Sequence, residues 1–169
     1  TSYRPHRVPA AVLGLTLLVA CGGGRSAEIP EIGLSTETDR VLFERGSIAL
    51  GENDWRRARE YFVQIRDNYP QSQFRAPSRL GIGDTYEQEG TLEAYVRALD
   101  EFQDFLSLYP THPSAPYAQY KVGMVHYHQM RTPERDQQET LNAIQEFEEF
   151  LDIYPTAEDL IPEVEQKLR

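Results

Sequence analysis

Residues Ala98–Pro110, ALDEFQDFLSLYP, decide the reading of this chain because the same pattern occurs twice more. Ala58–Pro70 reads AREYFVQIRDNYP and Ala143–Pro155 reads AIQEFEEFLDIYP. Each copy carries Ala, an aromatic four residues on, another apolar residue three further, and a closing Tyr-Pro. The sets are Ala58/Phe62/Ile65/Tyr69-Pro70, Ala98/Phe102/Phe105/Tyr109-Pro110 and Ala143/Phe147/Phe150/Tyr154-Pro155. Steps of four, three and four lie on one face of a helix. Proline then ends the helix, since it lacks an N–H and biases the residue before it away from the helical region.

The three closing prolines fall 40 and 45 residues apart, the period of helical-hairpin repeats. A second helix is expected upstream of each copy, marked by Gly46, Gly83 and Gly123. Glycine inside a helix costs about 1 kcal/mol against alanine, so its recurrence predicts a close approach between the two helices. The helix-B alanines Ala58, Ala98 and Ala143 are the expected other side of that contact. The pattern predicts an all-α, tetratricopeptide-repeat-like solenoid of about three repeats plus the start of a fourth. Its repeats are expected at about 36–70, 76–110 and 115–155, with a partial one at 161–169. Pro77, Pro116 and Pro162 each follow a Tyr-Pro by a short linker and suit the first turn of the next helix A.

Within the first repeat, helix A is expected from near Thr36, with Asp39 as a capping-box-like signal, to Gly51. Asn53 or Asp54 then caps helix B, whose buried face is Trp55, Ala58, Phe62 and Ile65. The Gly-to-Ala spacing grows from 12 through 15 to 20 residues. This predicts A–B loops longer by about three residues in repeat two and eight in repeat three, the larger centred on RTPERDQQE at 131–139. Val164 and Leu168 begin an apolar stripe with no following partner helix, which favours a fragment of a longer array over the alternative, a short array with few repeats.

Residues 1–20 read as a lipoprotein signal peptide: Arg4 and Arg7, then an apolar run over 8–20 too short to span a bilayer. The run ends in Leu18-Val19-Ala20-Cys21, which resembles the bacterial lipobox whose cysteine is acylated; Cys21 is also the one cysteine of the chain. Lipidation at Cys21 would make the protein anchored to the membrane by its acyl chains rather than spanning it. By analogy with lipoprotein sorting, Gly22 after the cysteine favours the outer membrane. Residues 21–35 then form a lipidated tether, whose Gly22–Ser35 segment reaches roughly 20 Å as a flexible chain.

The formal charge is −10, and −12 once Arg4 and Arg7 are removed. Such a surface repels phosphate backbones, which argues against nucleic-acid binding. No catalytic constellation emerges, so no enzyme activity, cofactor or metal is expected. His126 and His128 stand two residues apart on a helix and point to different sides. The carboxylates among the helix-B phenylalanines read as solvated faces. A repeat array acts instead through its surface, with the A helices lining a concave face. The groove positions are Phe43, Ser47 and Leu50; Leu80, Asp84 and Glu87; and Tyr120, Met124 and Tyr127. The apolar and aromatic ones, Phe43, Leu80, Tyr120, Met124 and Tyr127, are candidate peptide contacts; burial against the next repeat is the other role open to them.

A lipobox followed by these repeats resembles the BamD family (also called YfiO or ComL), outer-membrane lipoproteins of the β-barrel assembly machinery. Three details carry the resemblance: LYPTHP at Leu108–Pro113, Tyr117-Ala118-Gln119-Tyr120 at a helix start, and the Arg135–Gln137 RDQ loop entering helix B of repeat three. The resemblance implies a periplasmic scaffold lipid-anchored to the outer membrane, built in family members from about five repeats. It implies as partners unfolded outer-membrane protein clients, a BamA-type barrel protein and other assembly lipoproteins. A periplasmic tetratricopeptide adaptor for cell-envelope or Tol-linked cell-division complexes is the alternative.

Overall fold

The computed structural model describes residues 36–130, 132 and 135–169. The expected signal peptide at 1–20, the expected lipidation site Cys21 and the expected tether at 21–35 lie outside the described residues. The described chain forms seven helices: α1 (Thr36–Gly51), α2 (Trp55–Asn68), α3 (Arg75–Glu89), α4 (Leu92–Leu108), α5 (Ala115–His128), α6 (Gln138–Ile153) and α7 (Ile161–Lys167). Each helix packs on the next along the chain, and α1 also touches α3. The result is a solenoid of helix hairpins of the tetratricopeptide type. α1, α3, α5 and α7 are the A helices; α2, α4 and α6 are the B helices.

The Tyr-Pro stops act alike in all three repeats. Tyr69, Tyr109 and Tyr154 leave helical geometry at φ/ψ of −124°/67°, −133°/53° and −120°/55°. Each still donates its backbone N–H to the carbonyl four residues back, on Ile65, Phe105 and Phe150. Each tyrosine carbonyl then accepts from the N–H three residues on, at Ser72, His112 and Ala157, and those carbonyls accept from Arg75, Ala115 and Leu160. Two successive tight turns thus aim each new A helix identically. Pro116 and Pro162 occupy the first turn of α5 and α7, where a missing N–H leaves no helical bond unmade.

The core is a row of phenylalanines. Phe62, Phe102, Phe105, Phe147 and Phe150 are each at most 2% exposed, and burying each stabilises by about 1.5–3 kcal/mol. Helix A approaches helix B closely at the three glycines, but the contact expected with alanine is made by the phenylalanine one turn later. A Cβ added at Gly46, Gly83 or Gly123 would lie 2.6, 2.5 and 2.5 Å from the rings of Phe62, Phe102 and Phe147 respectively. Ala58, Ala98 and Ala143 are buried, but the atoms nearest the notch that the missing side chain leaves are those of the phenylalanine ring. Gly81 adds a second notch: its Cβ would meet the opposite edge of Phe62 at 2.6 Å, so that ring is clasped between consecutive A helices.

The A–B connections depart from the expected loops. In repeat two the added residues lengthen helix B instead. Gly90 turns the chain in the left-handed region at φ 69°, and Thr91 caps α4 by accepting from the Ala94 N–H. Those two residues suffice, so the chain re-enters helix at Leu92, one turn earlier relative to its core alanine than α2 does. In repeat one, Asp54 rather than Asn53 is the cap, accepting from the Arg57 N–H, while Asn53 takes a positive φ of 61°. In repeat three α5 ends at His128 and α6 begins at Gln138, and the described residues between them are not helical.

Charged pairs join successive hairpins on the flank of the stack. Arg66 of α2 and Arg79 of α3 both reach Glu101 of α4, at 2.7 and 2.8 Å. Burial pushes the Glu101 carboxyl above its usual range, against the pull of Arg79 and Arg66. Arg59 of α2 binds Glu89 at 2.7 Å and lies 3.9 Å over the Tyr86 ring. Among the described residues, no helix is long and apolar enough to cross a membrane.

Candidate functional site

Neighbouring A helices are joined by a polar ladder in which α5 is the central rung. The Tyr117 hydroxyl donates to Asp84 of α3 at 2.8 Å. Lys121, one turn on, stands 3.3 Å from the same carboxylate oxygen and pairs with Glu87. His128 Nε2 is 3.5 Å from the other Glu87 oxygen. On the other side, the Tyr120 hydroxyl donates to Glu163 of α7 at 2.5 Å, and Lys167 lies 4.4 Å over the Tyr127 ring. Steps of three and four residues along α5 place these groups alternately toward α3 and α7.

Burial lifts the Asp84 carboxyl above its usual range, opposed chiefly by Lys121 and the Tyr117 hydrogen bond. Tyr117 and Tyr120 hold their protons even more tightly than free tyrosine, first through burial and then through the carboxylates they face. The acidic groups are engaged in ion pairs or hydrogen bonds with fixed donors. Among the described residues, no group of three or more His, Cys, Asp or Glu side chains is placed to hold a metal ion. His126 and His128 face opposite sides of α5: His126 Nδ1 lies 2.7 Å from Glu139 of α6, while His128 turns to Glu87 of α3.

The candidate groove residues fall into three separate core clusters. Phe43 is half-buried, tilted against Phe62 at 5.7 Å and stacked on Phe74 at 5.1 Å. Leu80 is buried with Phe102 and Phe105. Tyr120 and Met124 are buried at 7% and 9% exposure beside Phe147 and Val164, so α7 packs over them. Tyr127 is half-buried on the same cluster. Tyr120 and Met124 retain one edge in a cleft of about 370 Å³ shared with Glu87, Tyr95, Lys121 and His128. Sequence reasoning passed over Tyr117, Lys121 and Glu163. Their signal was present, since Asp84, Glu87 and Lys121 are ionisable residues at inward-facing helical positions and had to pair with one another.

The profile of the YfiO family, described as outer membrane lipoprotein, matches residues 35–168. The chain belongs to the YfiO family. A curated relative, outer membrane protein assembly factor BamD of Caulobacter vibrioides, is 29% identical over 137 residues. That alignment takes in 81% of this chain and 43% of the relative, so the chain spans less than half the relative's length. The matched residues, 35–168, take in every YfiO helix described above.

Proposed function

We propose that this protein is a non-enzymatic scaffold for assembly of β-barrel outer-membrane proteins, held at the periplasmic face of the outer membrane by acyl chains on Cys21. The observation that carries this is the family match over the whole helical array, together with a relative whose name is that of an assembly factor. In this reading the A-helix face receives extended segments of unfolded clients. Tyr127 and the accessible edges of Tyr120 and Met124 supply apolar contact, while Leu80 and Phe43 support that face from within the core. Association with a BamA-type barrel protein and with other assembly lipoproteins belongs to the same reading.

Membrane fractionation and affinity purification of the full chain test it together. The expected result is recovery in the outer membrane with a barrel protein of the assembly machinery. Recovery with Tol-linked or peptidoglycan-synthesis partners instead would contradict it. Cys21→Ser is expected to move the protein from the membrane pellet to the soluble fraction; an unchanged distribution would remove the anchor from the account.

A further inference from the structure

The three linkers from a B helix into the next A helix, at 69–75, 109–115 and 154–160, share their two backbone turns but not their side-chain support. In linkers one and two the residue five places after the closing tyrosine has no backbone acceptor for its N–H. Phe74 gives that N–H to the Ser72 hydroxyl at 3.0 Å, and Ser114 gives it to His112 Nδ1 at 3.1 Å. In linker three the matching position is Ala157, whose side chain has no acceptor. No A helix that follows a linker has a hydrogen bond from its N-cap side chain, so the His112 bond is what fixes the approach to α5. The imidazole is half-buried, with the Phe105 and Tyr109 rings at centroid separations of 5.4 and 6.3 Å. Among the described residues the histidine ion pairs are those of His126 and His128, and no carboxylate, lysine or arginine of α3, α4, α5 or α6 pairs with His112.

A backbone N–H can only donate, so in linker two Nδ1 is the acceptor and carries no proton. We propose that His112 makes the joint between repeats two and three acid-sensitive: a proton on Nδ1 abolishes the bond from Ser114 and leaves a cation before the first turn of α5. Both effects weaken the joint, since the N-terminal end of a helix disfavours positive charge. Histidine is the side chain whose ordinary titration falls between about pH 5 and 8. The joint between repeats one and two is held by a hydroxyl, which does not titrate there. Phe105 and Tyr109 attract an imidazolium through their ring faces, so the ring stays in place and the loosening is local. A second titrating group is linked to the joint, Asp84, through Tyr117 three residues after Ser114. Tyr117 is the first rung of the ladder to α3, so the joint stands at the foot of that ladder. The inference goes beyond the assembly reading, since it concerns the isolated chain and holds whatever machinery the protein serves.

The test follows two amide protons of the full chain by NMR, those of Ser114 and Phe74, as solvent-exchange rates relative to the intrinsic rate at each pH. Between about pH 7.5 and about pH 5, where histidine gains its proton, Ser114 is expected to lose protection while Phe74 keeps it. The loss should be at least about threefold, the scale of one net hydrogen bond, and should share its midpoint with the His112 ring protons. His112→Ser copies linker one and should keep Ser114 protected at both pH values. His112→Ala copies linker three and should leave Ser114 poorly protected at both. Ser114 protection indifferent to pH, or falling in step with that of Phe74, would overturn the inference. So would a pH response that survives in His112→Ser, which would place the titrating group at Asp84, or full protection of Ser114 in His112→Ala.

Discussion

At the scale of single residues, the array rests on a phenylalanine ring seated against a glycine. Phe102 is fully buried and its ring fills the notch at Gly83. Phe102→Ala is expected to cost about 3–5 kcal/mol in urea unfolding. Gly83→Ala should cost about 1–3 kcal/mol, because a Cβ 2.5 Å from an enclosed ring forces a backbone shift. Gly51→Ala is the control: a Cβ there meets nothing within 4 Å, so stability should change by no more than about 1 kcal/mol. Equal effects at Gly51 and Gly83 would contradict the notch. The glycine was legible because its presence in three helices needs a reason. Its partner was misread because Ala98 and Phe102 share a face one turn apart, and spacing does not say how far a side chain reaches.

Asp84 supplies a prediction with a definite sign. Its folded-state carboxyl titrates above the ordinary value of 3.8, and Glu101 likewise above 4.5. A raised carboxyl favours the folded state when protonated, so its contribution is present below the unfolded pKa and lost as pH rises through the folded one. Asp67, held below its ordinary value by Arg66, acts in the opposite direction, but it is half-exposed and screened. Asp84→Asn should therefore remove part of the stability gained on acidification from pH 7 toward pH 4, seen as a flatter Tm profile. A steeper gain in the variant would reverse the assigned sign.

At the scale of elements, helices were more legible than connections. Periodicity and proline placed every helix, since a buried stripe must recur at helical spacing and a proline must fall at an end. The extra residues of repeats two and three were visible as a count, but their fate was not. Gly90 and Thr91 make a two-residue connection possible, so in repeat two the surplus became a turn of α4. In repeat three the Gln137 side chain makes three hydrogen bonds, donating to the Thr132 and Arg135 carbonyls and accepting from Thr140 at the start of α6. Gln137→Ala is expected to lower stability by about 1 kcal/mol, the net worth of one or two such bonds at an exposed site. It should speed amide exchange at the start of α6 while leaving α1–α4 unaffected. Exchange changing across all helices alike would contradict a local role.

At the scale of the whole molecule, the chain reads as stacked units in which each hairpin contacts its neighbours and little else. The candidate groove was only partly legible for that reason. Tyr120 and Met124 sit at groove positions, but α7 packs against the same side of α5, and whether a following helix covers a face depends on distances that spacing does not contain. The polar ladder through Asp84, Lys121 and Glu163 was missed because its members come from three A helices, far apart along the chain. The family was legible because the repeat spacing and the short motifs of repeats two and three all point to one group of proteins.

The central claim is that the A-helix face of this array receives unfolded outer-membrane proteins. Its most direct test is photocrosslinking in living cells, with the probe placed at Tyr127 on the A-helix side and, as control, at Leu108 on an exposed face of helix B. The account predicts that Tyr127 captures newly made barrel proteins while Leu108 does not. Capture from Leu108 but not Tyr127, or from neither position, would contradict it.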